Sequence, residues 1–265
     1  MNKLFNTTAQ MTIAGTREFN APPFAIEFEQ SFEIGKPSST TAKLYNPAPD
    51  TIKACEAIRK GRSFTYPTVS IDAGYVESQG TCVLGEIIEY KVSQSGPDKV
   101  LEMKISDKTS RWANALINKT WRNTKASVIL SEMLSSVGID AGAAEFGQDK
   151  LYKTLSVRYL KNGIKKIARD TNSEFYFDNG VFTMVPQSPR QKKVISLAYD
   201  SGLIERPEKT KIGVKFNTLF MYQIVINSYV QITTDTINGI FRVRRGKKTF
   251  STIGSSQCEF EGVEI

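Results

Sequence analysis

The 265-residue chain contains no histidine. That absence removes Ser-His-Asp and Cys-His catalysis, His-ligated zinc and proximal-His haem together. It has only three cysteines, Cys55, Cys82 and Cys258, far apart and without a C-x-x-C pair. A disulfide framework or thiolate metal site is therefore not expected; buried free thiols are. No apolar run approaches the roughly 20 residues of a membrane helix. Met1 to Gln10 carries Lys3 but no apolar signal-peptide core. The chain is thus expected to stay in a cytoplasm-like compartment until something carries it out, with no membrane as partner. No G-x-G-x-x-G, P-loop, G-x-S-x-G or H-E-x-x-H occurs. No cofactor or metal is implied, and a structural role is favoured over a catalytic one.

What is present reads mostly as strands. From Phe24 to Ile34 the even positions are Phe24, Ile26, Phe28, Gln30, Phe32 and Ile34, and the odd ones include Glu27, Glu29 and Glu33. Such period-two alternation predicts a strand with one face buried and one wet. Thr40 to Tyr45 should follow as a second strand. Asn46 and Pro47 then suit the start of a short helix with Ile52, Cys55 and Ile58 inward and Gly61 at its end. Strands resume around Phe64 to Tyr75, with a parity switch at Pro67, and at Thr81 to Val92. A further strand should place Leu101, Met103 and Ile105 inside and Glu102 and Lys104 outside.

The middle of the chain changes character. Ala126, Ile129, Leu130, Met133, Leu134 and Val137 recur at helical spacing, with Thr124 as a start cap and Gly138 as an end. A strand at Leu151 to Tyr159 and a helix at Gly163 to Asp170 follow. Asn179-Gly180 marks a tight hairpin turn. Pro186 to Pro189 is a natural boundary. Beyond it the strand signal returns, at Val194 to Ala198, Ile212 to Phe216, Tyr229 to Thr233, Ile240 to Arg244 and Gln257 to Val263, with turns at Asn238-Gly239 and Arg245-Gly246. The fold class read from this is β-dominated α+β, in three parts. Residues 1–109 and 190–265 are strand-rich and 110–189 are a small α+β domain, which suggests two related β-barrels flanking the middle. Charge is uneven along the same lines. Of 35 basic and 27 acidic residues, 1–110 hold 12 and 13, 111–189 hold 11 and 7, and 190–265 hold 12 and 7.

Four groups of residues could carry function. Glu27, Glu29 and Glu33 share a strand face; two carboxylates can act as acid and base, but one must be desolvated, and alternation predicts a wet face. Arg242, Arg244, Arg245, Lys247 and Lys248 form the densest basic cluster. On a hairpin they could grip phosphates, though no aromatic platform shares the arginines' face. A nucleic-acid-binding β-barrel using this hairpin is the alternative reading, and a charged subunit contact the blander one. Lys161, Lys165 and Arg169 form one helical stripe, read as a solvated face. Trp112 and Trp121 read as packing anchors first and as an inter-subunit or partner interface second.

The order of pieces resembles a known family, the late control protein D type of hub at the distal end of phage tails and phage-tail-like particles. The resemblance is carried by Pro23-Phe24-Ala25-Ile26-Glu27-Phe28, by Tyr45-Asn46-Pro47-Ala48-Pro49-Asp50-Thr51-Ile52, by Ile71-Asp72-Ala73-Gly74-Tyr75 and by Gly85-Glu86-Ile87. Phe175-Tyr176-Phe177-Asp178-Asn179-Gly180, Ser201-Gly202-Leu203-Ile204 and Asn238-Gly239-Ile240-Phe241-Arg242-Val243 continue it. A histidine common after the last of these is replaced by Arg244 and Arg245. The resemblance implies two tail-tube-like barrels around an inserted α+β region. It also implies a homotrimeric ring that continues the tail tube and adapts sixfold to threefold symmetry in the virion. Expected partners are a distal tail or tail tube protein, a tip spike or central fibre protein, and the tape measure protein, with DNA only in transit. No lysozyme-like or spike extension is legible, so puncture and peptidoglycan cleavage are expected of another chain. Under this reading Glu27, Glu29, Glu33 and Glu102 would line a polar, partly acidic lumen.

Overall fold

The computed structural model describes residues 6–60, 63–107, 112, 115–187 and 193–265. In chain order the first elements are β1 (Thr7–Ile13), β2 (Arg17–Ala21), β3 (Ile26–Glu33), β4 (Ser39–Tyr45), α1 (Pro49–Ala54), β5 (Ile58–Lys60), β6 (Ser63–Thr65), β7 (Thr68–Tyr75), β8 (Ser78–Ser95) and β9 (Asp98–Ser106). The middle holds β10 (Leu116–Lys125), α2 (Ala126–Val137), β11 (Asp140–Ala144), β12 (Leu151–Tyr159), α3 (Leu160–Asp170), β13 (Ser173–Asp178) and β14 (Val181–Pro186). The last part holds β15 (Val194–Leu197), β16 (Glu208–Lys209), β17 (Gly213–Leu219), β18 (Tyr229–Thr233), β19 (Asn238–Ser251) and β20 (Gln257–Glu264). Strand dominates, as the patterning requires.

The chain divides into two compact units, one of Met1–Phe32, Ser38–Ser106 and Lys192–Ile265, the other of Glu33–Pro37 and Asp107–Gln191. The first unit is organised by a 13-stranded sheet in which β19, from the end of the chain, lies beside β3, from its beginning. The two strand-rich ends are thus hydrogen-bonded into one sheet. Hydrogen bonds between Ile26 and Thr252 extend the junction, with the Thr252 amide donating to the Ile26 carbonyl and the Ile26 amide donating to the Thr252 hydroxyl.

Alternation on β3 decides which face is core. Ile26, Phe28, Gln30 and Phe32 are buried, and the glutamates between them are not. On β9 Leu101, Met103 and Ile105 are buried in the same sense. The aromatic centre of the unit crosses the junction: Phe28 stacks on Phe250 of β19 with centroids 5.4 Å apart and meets Phe220 edge-on at 5.9 Å. Phe32 lies against Phe260 of β20. Rings of this size, each removing well over 100 Å² from water, make the junction a principal source of stability. Gly246 is there because nothing larger fits; a Cβ on it would lie 2.4 Å from the Phe32 ring and 2.7 Å from that of Phe260.

The short helix starts later than its sequence predicts. Pro49, not Pro47, occupies the first helical position, with Ala48 as N-cap. Asn46 takes a left-handed conformation and its side chain instead ties down the β8–β9 turn, donating to Asp98 and accepting from the Lys99 amide. Thr51 of α1 and Cys55, which caps its end, are buried, whereas Ile58 belongs to β5 and is exposed. The expected terminator Gly61 lies outside the described residues.

The second unit packs α2 and α3 with the β10–β12 ribbon and with the sheet β11-β14-β13. The apolar stripe of α2 is buried from Ala126 to Leu134 as its spacing dictates, with Val137 half-buried at its end, and Gly138 ends the helix in the left-handed region. Its start is capped from a distance. The Asp149 carboxylate accepts from the amide and hydroxyl of Ser127, and Thr124 turns its hydroxyl to the Arg122 carbonyl instead. Asn179 and Gly180, both at positive φ, make the β13–β14 turn. β11 runs parallel to β14, a pairing invisible in its sequence Asp-Ala-Gly-Ala-Ala.

Candidate functional surfaces

The face of the first unit's sheet opposite the core carries an ordered set of charges. Strand register places Glu27 opposite Lys43, Lys43 opposite Glu102, and Glu102 opposite Lys91, across β3, β4, β9 and β8. Lys43 Nζ is 3.8 Å from the Glu27 carboxylate and Lys91 Nζ is 3.0 Å from that of Glu102. The neighbouring row runs from Lys247 on β19 to Glu29, at 3.0 Å, then past Thr41 to Lys104 and Glu89, at 2.8 Å. Glu27 is held further by the hydroxyls of Tyr45 and Ser251, which donate to it at 3.2 and 3.1 Å. Four lysines and four glutamates thus alternate across five strands with no net charge. Facing opposite charges are the favourable cross-strand arrangement, and each exposed pair contributes only about 0.2–1 kcal/mol. The surface is therefore better understood as electrostatically neutral than as a source of stability.

This arrangement changes the sequence reading in a specific way. Glu27, Glu29 and Glu102 lie on one wet face as expected, but their lysine partners cancel the acidic character inferred from the glutamates alone. Alternation on β4, with Thr41 and Lys43 at the wet positions, was the available signal. Glu33 falls in the Glu33–Pro37 segment of the second unit and pairs with Lys36 at 2.6 Å. The acid–base reading of these glutamates loses its chemistry here, since such a pair needs a desolvated carboxyl. The Glu29 side chain is 52% exposed and lysine-bound, and Glu27 accepts three partners.

The basic cluster is not a hairpin. Residues 238–251 are one continuous strand, and the expected turn at Arg245-Gly246 is a β-bulge between Val243 and Arg245. A bulge inserts one residue and flips the facing of every residue beyond it. Val243 is buried before it; Gly246, Lys248 and Phe250 are buried after it. The charges are therefore scattered. Arg242 is 3% exposed, with its guanidinium 3.5 Å from the Asn227 side-chain oxygen. Lys248 is 1% exposed and donates to the Tyr222 carbonyl at 2.9 Å. Arg245 pairs with Glu261 at 3.5 Å and Lys247 with Glu29. Arg244, the inserted residue, is half-buried. No continuous cationic surface results, and the phosphate-gripping hairpin is corrected on that ground. The other expected turn, Asn238-Gly239, is the first part of β19; the chain reverses just before it, where the Thr234 hydroxyl accepts from the Thr236 and Ile237 amides.

Trp112 and Trp121 are 3% and 5% exposed. Trp112 packs against Phe175 and Phe177, and the Trp121 indole N–H donates to Glu132 at 2.7 Å. Their burial leaves no ring face for a partner within the chain as folded. Glu132 also takes Lys119 at 2.6 Å, and these hydrogen bonds, Lys119 first, hold its carboxyl below the usual range. Burial pushes the Asp170 carboxyl up, but Lys166, Tyr152 and Lys150 around it outweigh that and leave it lowered. Cys55, Cys82 and Cys258 are all buried free thiols, and burial pushes each up to about 11. Among the described residues no group of His, Cys, Asp or Glu could hold a metal ion, and no helix is long and apolar enough to cross a membrane.

Residues 53–244 match the family Baseplate hub gp41. The chain belongs to the baseplate hub gp41 family. A phage-tail structural role, and with it a place in the virion, follows from that membership. No curated protein is a significant match. Solved structures share the fold of this hub chain at low identity. The tail protein from Neisseria meningitidis MC58 has a TM-score of 0.72 at 7% identity, over 98% of this chain and 97% of that one. The 43 kDa tail protein of prophage MuSo2 from Shewanella oneidensis gives 0.72 at 8%, over 97% and 96%. The E. coli c3393 protein gives 0.72 at 10%, over 96% and 76%. It is described as a type VI secretion component with structural similarity to the T4 tail proteins gp27 and gp5. The β-dominated fold inferred from patterning is thus that of tail proteins.

Proposed function

We propose that this baseplate hub is a non-catalytic structural protein acting as a homotrimeric ring. The match to the hub family across most of the chain carries the reading. In the ring, two tail-tube-like barrels per copy, drawn from 1–109 and 190–265, would give six around the axis. They would meet a sixfold tube on one side and a threefold tip on the other. Residues 110–189 would be the domain inserted between them in the chain. A ring of this kind buries exposed sheet edges between subunits, and closed symmetry limits its growth.

We further assign the lysine–glutamate rows around Glu27, Glu29 and Glu102 to the lumen. A wall with alternating charges and no excess of either sign neither retains nor repels a passing polyanion strongly. Partners on this reading are the distal tail or tube protein, the tip spike or central fibre, and the tape measure protein. Assembly would take place in the host cytoplasm. The nucleic-acid-binding alternative is not favoured, because Arg242 and Lys248 are buried.

The lumen assignment is tested with E27K/E29K/E102K phage. Loss of three anions from a balanced wall should leave particles assembled but slow DNA ejection, the delay easing as salt rises. Unchanged ejection, or these residues on the outer wall of an assembled tail, would refute it.

A further inference from the structure

We propose that the outer face of the β10–β12 ribbon in the second unit is a docking site for an acidic, extended segment of another protein. It goes beyond the hub role, which does not require it. On the inner side of the ribbon Trp121, Leu155 and Val157 enter the core. On the outer side Thr120, Arg122, Thr154, Ser156 and Arg158 are all exposed. Register sets Thr120 against Ser156 and Arg122 against Thr154, and the Thr120 and Ser156 hydroxyls are hydrogen-bonded at 2.8 Å. The result is a level floor of hydroxyls with an arginine towards each end.

Neither Arg122 nor Arg158 has a carboxylate within ion-pair distance among the described residues. This contrasts with the first unit's sheet, where lysines and glutamates are matched. The contrast is specific to the ribbon's outer side, since Lys119 on the inner side is paired with Glu132. Unmatched guanidinium groups over hydroxyls offer bidentate sites for carboxylates and donors for a polar backbone.

The spacing selects an extended occupant. Arg158 is four residues along β12 from Thr154, the partner of Arg122, hence about 13 Å at roughly 3.3 Å per residue. A strand-like segment with carboxylates at i and i+4 on one face spans the same distance. A single-stranded nucleic acid fits less well, because stacking rings are what such sites add to charge. The floor has none, and the nearby Tyr159 ring sits 5.3 Å from the Arg158 guanidinium carbon.

The test uses the full chain and a fluorescein-labelled extended peptide with glutamates at i and i+4 separated by Thr and Val, followed by anisotropy at low and physiological salt. Wild type should bind, and R122E/R158E should lose roughly tenfold or more in affinity. K209E/K211E, the same charge change at exposed lysines of the first unit, should stay within about twofold of wild type. Tryptophan fluorescence reports whether the second unit is folded, and R122Q/R158Q replaces the reversal if it is not. The proposal is overturned if the peptide does not bind. Equal binding by wild type and the Arg122/Arg158 variant also overturns it, as does an equal loss in K209E/K211E. Tighter binding of single-stranded DNA than of the peptide would assign the face to nucleic acid instead.

Discussion

Replacing Phe28 with alanine should destabilise the first and last parts of the chain together. Phe28 is 3% exposed and touches Phe250 and Phe220, both from the C-terminal part. Truncating a buried phenylalanine costs about 3–5 kcal/mol. With a urea slope of about 2–3 kcal/mol/M for a unit of this size, the midpoint should fall by roughly 1–2.5 M. The molecule supplies its own reporters. The three cysteines lie in the first unit and both tryptophans in the second. Thiol labelling in urea therefore follows the first unit, and tryptophan fluorescence follows the second. Cys82 and Cys258 should become reactive at the same urea concentration in wild type, and at one lower concentration in Phe28→Ala. A double-mutant cycle with Phe250→Ala should give a coupling of about 0.5–1.5 kcal/mol. If Cys82 and Cys258 were exposed at different urea concentrations, or Phe28→Ala moved only Cys82, the ends of the chain would be separate folding units and the reasoning would fail.

Gly246→Ala should cost about 1–3 kcal/mol through overpacking against Phe32 and Phe260, read as a lowered thermal midpoint. The buried thiols predict alkaline sensitivity. Each is raised from 9.0 to about 11 in the folded state, so its contribution is complete below pH 9 and is lost as pH rises to about 11. That is at most about 2.7 kcal/mol per thiol, and a C55A/C82A/C258A variant should show a shallower loss of thermal midpoint between pH 8 and 11. Asp170 works in the opposite direction. Its folded carboxyl is lowered, so its contribution is present at neutral pH and lost as pH falls from about 4 through the folded value. Asp170→Asn should cost about 1–3 kcal/mol at pH 7 and flatten the acid limb of tryptophan-detected unfolding.

Where local pattern and tertiary environment agree, the sequence was readable. The even positions of β3, the apolar stripe of α2 and the Asn179-Gly180 turn all behave as their spacing requires. The failures share a cause, which is a partner distant in sequence. Lys248 in a run of basic residues reads as solvated; only the bulge after Val243 turns it inward, to a backbone carbonyl 26 positions away. Thr124 reads as a cap, but Asp149 performs that role from 22 positions away. The glutamates of β3 were legible as a wet face, while their neutralisation by Lys43 and Lys247 depends on strand order. That order joins β3 to β19 across more than 200 residues, and no local period encodes it.

The central claim is a closed ring of hub subunits on the tail axis. Counting copies of this chain per assembled tail, by quantitative mass spectrometry or by cryo-microscopy of the tail tip, tests it most directly. Three copies around the axis at the tip are predicted; six per layer repeated along the tail, or a single copy off the axis, would contradict it.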